Sequence, residues 1–186
     1  MIKISIATEE DLDRILEIGR EAISPPWSRE ALLGEICRDD SFFAVALGKF
    51  GIRNSEFGIG DAGNVGLNSE CGMRNAELLS SEENVCGFVI LRRMGDVGEL
   101  LLIAVEKAVR RSGIADVLME SALLYASMNF LESVFLEVRA GNAAAISLYE
   151  KHGFWNVRTR KDYYSDPVED AIVMEREVIR QYEELF

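Results

Sequence analysis

The sequence predicts a mixed α/β domain, a sheet of about seven strands flanked by four helices, and three observations carry that expectation. Two hydrophobic periods alternate along the chain: Ile2, Ile4 and Ile6 repeat every second residue, whereas Leu12, Ile15, Leu16 and Ile18 share one helical face. The segments follow the order strand, two helices, three strands, helix, strand, helix and two strands, which interleaves both element types in one unit. A length of 186 residues suffices for one substantial core and leaves no room for a second catalytic domain.

Taken in order, residues 2–6 read as a half-buried strand. Thr8 is placed to cap the first helix, with Asp11 three residues on in a variant of the capping box, and the apolar stripe extends as far as Ala22. Ser24-Pro25-Pro26-Trp27 ends that helix, because neither proline can continue it and each restricts the residue before. Ser28 caps a second helix carrying Leu32, Leu33 and Ile36. Residues 42–47 are an apolar second strand and residues 86–91, CGFVIL, a third. A turn at 96–98 sends 99–105 back antiparallel. The longest helix covers about 113–128, residues 133–138 form the next strand, and residues 142–152 the fourth helix, with Gly153 suited to a left-handed C-cap. Residues 154–163 and 171–177 are the last strands, joined by SDPVED.

Residues 50–85 break this pattern. Six of the fifteen glycines fall there, no period persists, and GIRNSEF at 51–57 is echoed by GMRNAEL at 72–78, with a shorter GLNSEC between them. Three degenerate copies are too few for a solenoid. The segment is expected to be a low-complexity insert within one 1–186 domain, a mobile surface loop, with a lid over the substrate as the alternative.

Twenty basic against 32 acidic side chains give a net charge of -12, which argues against direct nucleic-acid binding and favours basic peptides as partners. No apolar run approaches the about 20 residues that cross a bilayer. The N-terminus lacks the continuous apolar core of a secretory signal, so a cytoplasmic protein with no membrane association is expected. Cys37, Cys71 and Cys86 show neither CxxC spacing nor an even count, so they suggest free thiols and no metal site.

The stretch 103–118, IAVEKAVRRSGIADVL, passes from strand through a basic loop into a helix. Such a turn aims unpaired N–H groups at one spot, with Arg110 and Arg111 beside them, and suits an anion such as phosphate. Gly113 lets the main chain approach a ligand and Ala115 keeps the helix start narrow, although solvated arginines before an ordinary turn would read the same way.

The order and spacing of this stretch and of EVRAGNAAAISLYEKHGF at 137–154 resemble the GNAT acetyltransferases, and within them the RimI-type ribosomal-protein-alanine N-acetyltransferases. The resemblance covers nearly the whole chain except the insert. It implies a mostly antiparallel twisted sheet splayed at an acetyl-CoA site, with no metal. It implies that Glu137 is the general base and Tyr149 the general acid toward the thiolate of coenzyme A. On the residues alone, Glu137 could be a solvent-facing strand residue and Tyr149 a core aromatic. The resemblance further implies that Ile103, Ala104 and Val105 hold pantetheine through main-chain groups, with the Val105 N–H at the oxyanion. Arg110, Arg111, Ser112, Gly113, Ile114 and Ala115 would hold the diphosphate, and Asn142 would bond the pantetheine arm while also capping its helix.

Pro26-Trp27-Ser28 and Tyr163-Tyr164 with Glu169-Asp170-Ala171 resemble the family's two loops beside the peptide groove. Trp27 could equally be a buried anchor and the tyrosines strand aromatics. Glu106-Lys107 replaces the usual Asp-Pro, Ala115 stands for a commoner Gly, and Leu102 falls where a polar residue is frequent. The expected activity is acetyl transfer from acetyl-CoA to the N-terminal alanine of a small-subunit ribosomal protein, by a monomer or weak dimer. The alternatives are another amine acceptor, such as a polyamine, a drug or other protein N-termini, or a non-catalytic CoA-binding module.

Overall fold

The computed structural model describes residues 2–23, 25–49 and 83–178. Within them the strands β1 (Lys3–Ile6), β2 (Ser41–Gly48), β3 (Asn84–Met94), β4 (Val97–Val105), β5 (Ser133–Arg139), β6 (Trp155–Ser165) and β7 (Val168–Glu177) build one sheet in the order β1-β2-β3-β4-β5-β7-β6. All neighbours are antiparallel except β4 and β5, which run parallel for three pairs only, from Val97↔Ser133 to Glu99↔Phe135. Past Glu99 the two strands part. The β5-facing edge of residues 100–105 is therefore left without a partner strand, the splay that the family resemblance implied.

Four helices flank the sheet: α1 (Leu12–Ala22), α2 (Arg29–Ile36), α3 (Ile114–Met128) and α4 (Ala143–Lys151). Strand alternation divides the inner strands between two cores. Ala44, Ala46, Val89 and Leu91 pack with α3 residues and Tyr149, whereas Phe43, Val45, Phe88 and Ile90 pack with Leu12, Ile15 and Ile18 of α1 and Leu32 of α2. Ile15 and Leu118 are fully buried, and each contributes roughly 1.5–3 kcal/mol relative to exposure. Gly87 in β3 serves this packing, since a Cβ there would lie 2.8 Å from the Ala104 carbonyl oxygen.

Local chemistry sets the element ends. The Asp11 carboxylate accepts from Thr8 N–H at 2.8 Å and from its hydroxyl at 3.0 Å, the expected capping-box contact. The first turn, Glu9–Asp11, is a 3-10 turn, and Ala22 is exposed, so the buried stripe stops short of it. Ser28 caps α2 by accepting from Ala31 N–H at 3.2 Å. The hairpin between β3 and β4 turns on Gly95-Asp96 rather than at 96–98, because Gly95 supplies the left-handed φ of +64° and lets β4 begin at Val97. β3 begins at Asn84, paired with Gly48, inside the segment assigned to the insert. The remaining residues of that insert, 50–82, lie outside the described residues. β6 and β7 continue to Ser165 and from Val168, which shortens the expected six-residue connector to Asp166-Pro167.

Candidate active site

One cleft of about 1220 Å³ follows the opening between β4 and β5. Its floor is the unpartnered run 100–105 of β4, and one end is the turn into α3. There Arg111 has a φ of +64° and Gly113 a φ of +84°, and the reversal aims the first-turn N–H groups of α3 into the cleft mouth. Ile103, Ala104, Val105, Arg110, Arg111, Gly113, Ile114 and Ala115 all line the cleft. Ser112 does not; its hydroxyl donates to the Val109 carbonyl at 2.6 Å and holds the loop. Arg110 Nε donates to the Val105 carbonyl at 3.0 Å, fastening the loop to the end of β4.

A carboxylate beside an anion site would ordinarily oppose it. Asp116, in the first turn of α3, also lines the cleft, but it accepts from Lys151 Nζ at 2.5 Å and lies 3.0 Å from His152 Nε2. The Lys151 bond, then burial opposing it, then His152, leave its carboxyl below the usual range. These contacts tie the start of α3 to the end of α4 and give the chain's single histidine a structural place.

Asn142 caps α4, its Oδ1 accepting from Ala145 N–H at 3.2 Å, and lines the cleft at the same time. One helical turn and more beyond it, Tyr149 reaches the cleft wall from within the α3 core, with its ring against Phe154 at 6.0 Å between centroids. Burial drives its phenol pKa far above the ordinary value. The hydroxyl is therefore a neutral donor at every physiological pH.

Glu137 belongs to the opposite face. Val134, Leu136 and Val138 of β5 point into the α3 core, so alternation turns Glu137 away from it. Glu137 and Tyr149 thus belong to different faces of the sheet. They line one cleft because the sheet itself is open between them. The Glu137 carboxylate is ion-paired with Arg160 of β6, and its interaction with the nearby Tyr163 hydroxyl raises the Tyr163 pKa. Across the opening lies Glu99 of β4, whose pKa is raised chiefly by burial, against the pull of Arg92 and with the help of Glu137 and Glu35. Sequence reasoning missed both Arg160 and Glu99: one needs the β5-β7-β6 order to be recognised, and the other sits in an apolar run without a motif.

The two neighbouring tyrosines of β6 are held by a bulge. The pairing of β6 with β7 shifts between Arg160 and Tyr164, Asp162 takes a φ of +51°, and its N–H donates to Asp170 Oδ1 at 2.9 Å. Both Tyr163 and Tyr164 then line the cleft, their rings in edge contact at 5.2 Å, where a regular strand would send them to opposite faces. Glu169 accepts from Gly141 N–H at 2.5 Å and pairs with Arg139 at 3.1 Å. The acidic pair Glu169-Asp170 is thus a brace for the tyrosines. Trp27 is half-buried against the α1 core and also lines the cleft. Ser28 lines a neighbouring hollow instead, with its hydroxyl committed to the α2 cap.

The acetyltransferase (GNAT) family model matches residues 68–154. A ribosomal protein bS18-alanine N-acetyltransferase of Escherichia coli K12 is 37% identical over 98 residues, which span 52% of this chain and 66% of that relative. A protein of the same description from Haemophilus ducreyi is 25% identical over 174 residues, covering 92% of this chain and 97% of the relative. Among solved structures, the E. coli ribosomal-protein-S18-alanine N-acetyltransferase superposes with a TM-score of 0.72 at 26% identity, over 100% of this chain and 99% of that one.

Proposed function

We propose that this chain is an acetyltransferase of the GNAT family, whose model matches residues 68–154, and that it transfers acetyl from acetyl-CoA to the N-terminal alanine of a small-subunit ribosomal protein. The observation that carries the proposal is the single cleft that joins the Gly113 turn, the open edge of β4, Tyr149 and Glu137. The relatives named for the same reaction support the acceptor.

The residues divide the work by position. The N–H groups at the start of α3, with Arg110 and Arg111, hold the diphosphate. The free edge of β4 holds the pantetheine arm as an added strand would be held, and Asn142 bonds the same arm. The Val105 N–H stabilises the charge that develops on the acetyl oxygen. Glu137 takes one proton from the acceptor's ammonium, directly or through water. The amine then attacks the acetyl carbon and a C–N bond forms. As the C–S bond breaks, the sulfur leaves with the Tyr149 proton, and the second amine proton restores the phenol through solvent. One proton is released overall, and no acyl-enzyme is formed.

Trp27, Tyr163 and Tyr164 flank the acceptor's first residues; Ser28 contributes through the α2 cap. A terminal α-amine, with a pKa of ~7.7–8.0, needs only ~1 kcal/mol to reach the free base at pH 7, whereas a lysine at ~10.4 needs over ~4 kcal/mol. One carboxylate and one phenol suffice for the first case.

The test is to mix the protein with acetyl-CoA and a peptide copying such an N-terminus, and to locate the acetyl group by mass spectrometry. Acetyl on the α-amine, and a loss of about 10²-fold or more in Glu137→Gln, are expected. An unchanged rate in that variant removes Glu137 from the mechanism. The carboxylates Glu99 and Glu137 at the acceptor end give one rival some support, a polyamine acceptor, and preference for spermidine over the peptide would establish it.

A further inference from the structure

Two arginines stack on two neighbouring tyrosines at the acceptor end of the cleft, and they are held in different ways. Arg139 lies over Tyr164, 4.1 Å from its Cζ to the ring centroid, and is pinned by Glu169 and by the carbonyls of Asp166 and Pro167. Arg160 lies over Tyr163 at 4.2 Å, but its ion pair is with Glu137 alone among the described residues. Its side chain is 42% exposed, against 19% for Arg139. One guanidinium is built into the β6–β7 turn; the other rests on a base that the reaction must use.

We propose that Arg160 is a resident stand-in for the acceptor's ammonium, occupying Glu137 until an acceptor displaces it and returning when the product has lost its charge. The proposal rests on the reading of Glu137 as the base. The acceptor arrives mostly as a cation, since at pH 7 roughly nine-tenths of an α-amine with a pKa of ~7.7–8.0 is protonated. That cation seeks the same carboxylate that the guanidinium covers. When displaced, Arg160 keeps the face of Tyr163 as a second resting place, so its release needs no refolding of β6. Acetylation turns the ammonium into a neutral amide, which has no charge with which to hold Glu137 against Arg160. The guanidinium then reclaims the carboxylate and the product is excluded.

The other groups facing Glu137 do not offer this exchange. Tyr163 and Tyr164 are neutral, Glu99 carries the same sign, and Arg139 is tethered to the turn. Arg160 is thus a positioning residue that discriminates substrate from product by charge.

The experiment compares wild type, Arg160→Gln and Arg160→Lys with an alanine-initiated peptide and with the N-acetylated form of the same peptide as inhibitor, and records the melting temperature of each protein. In Arg160→Gln the KM for the free peptide falls about two- to fivefold, the range of a part-exposed ion pair, and the inhibition constant of the acetylated peptide falls with it. Arg160→Lys, which keeps the competing charge, retains the wild-type inhibition constant. A KM that stays level or rises in Arg160→Gln at unchanged melting temperature overturns the proposal, as does an inhibition constant equal in all three proteins. Absence of acetyl transfer by the wild type to this peptide would instead overturn the activity on which the proposal rests.

Discussion

Replacing Tyr149 by Phe separates chemistry from packing more cleanly than any other change in the cleft. The phenol is 8% exposed, its ring packs on Phe154, and its hydroxyl donates to none of the described residues. Phe keeps the ring and its contacts, and no hydrogen-bond partner in the described fold is orphaned. The stability cost should therefore stay below about 1 kcal/mol, a shift of roughly 2–4 °C in melting temperature for a chain of this size. The proposed role predicts a far larger kinetic effect. In the proposed mechanism the protonated phenol gives its proton to the departing sulfur, and removing a positioned acid costs about 10²-fold in kcat, equivalent to ~2.7 kcal/mol of barrier. Release of coenzyme A, followed chromatographically at saturating substrates, reads the rate, and calorimetry reads the stability. A Phe variant that melts with the wild type and turns over within threefold of it would show that the sulfur leaves without help from Tyr149. A joint loss of rate and of more than ~5 °C would instead mean that the hydroxyl holds the fold.

Two further predictions concern stability. The Glu99 carboxyl is raised by burial, so the proton it binds more tightly in the folded state stabilises the fold below the ordinary carboxylate range, and that contribution is lost as pH rises through the elevated value. Glu99→Gln should accordingly melt higher than wild type at pH 7, with the gap closing toward pH 4; a gap that is constant with pH would contradict the assigned cause. Gly87→Ala brings a Cβ to 2.8 Å from the Ala104 carbonyl and 3.1 Å from Leu118 Cδ1, and the backbone atom cannot yield cheaply. Denaturant unfolding should show a loss of roughly 1–3 kcal/mol, and a change under 0.5 kcal/mol would mean that β4 moves aside more freely than its pairing suggests.

What the sequence made legible was local. Alternation and capping are decided within a few residues, so β1, the Thr8–Asp11 box, the Ser28 and Asn142 caps and the left-handed Gly153 were readable directly. Gly95 was equally available as the hairpin residue, but the acidic and glycine-bearing stretch after it drew the expected turn one residue late at its start and two at its end. The cleft was not legible in the residues. It depends on where β4 and β5 stop pairing, and only the family resemblance anticipated a splay there. The partnership of Glu137 with Arg160 joins residues 23 apart through a strand order that periodicity cannot supply. The Glu169-Asp170 pair, read beside the tyrosines as part of a groove, works through the Gly141 and Asp162 amides to shape the bulge that presents both rings.

In the proposed mechanism both faces of the open sheet act on one thioester, the base from one side and the acid from the other. The most direct test is a crystal structure with acetyl-CoA bound. The diphosphate should lie on the N–H groups of the Gly113 turn, the arm along residues 100–105 of β4, and the acetyl carbon between the Glu137 carboxylate and the Tyr149 hydroxyl. A diphosphate bound elsewhere, or an acetyl group out of reach of either side chain, would contradict the proposed mechanism.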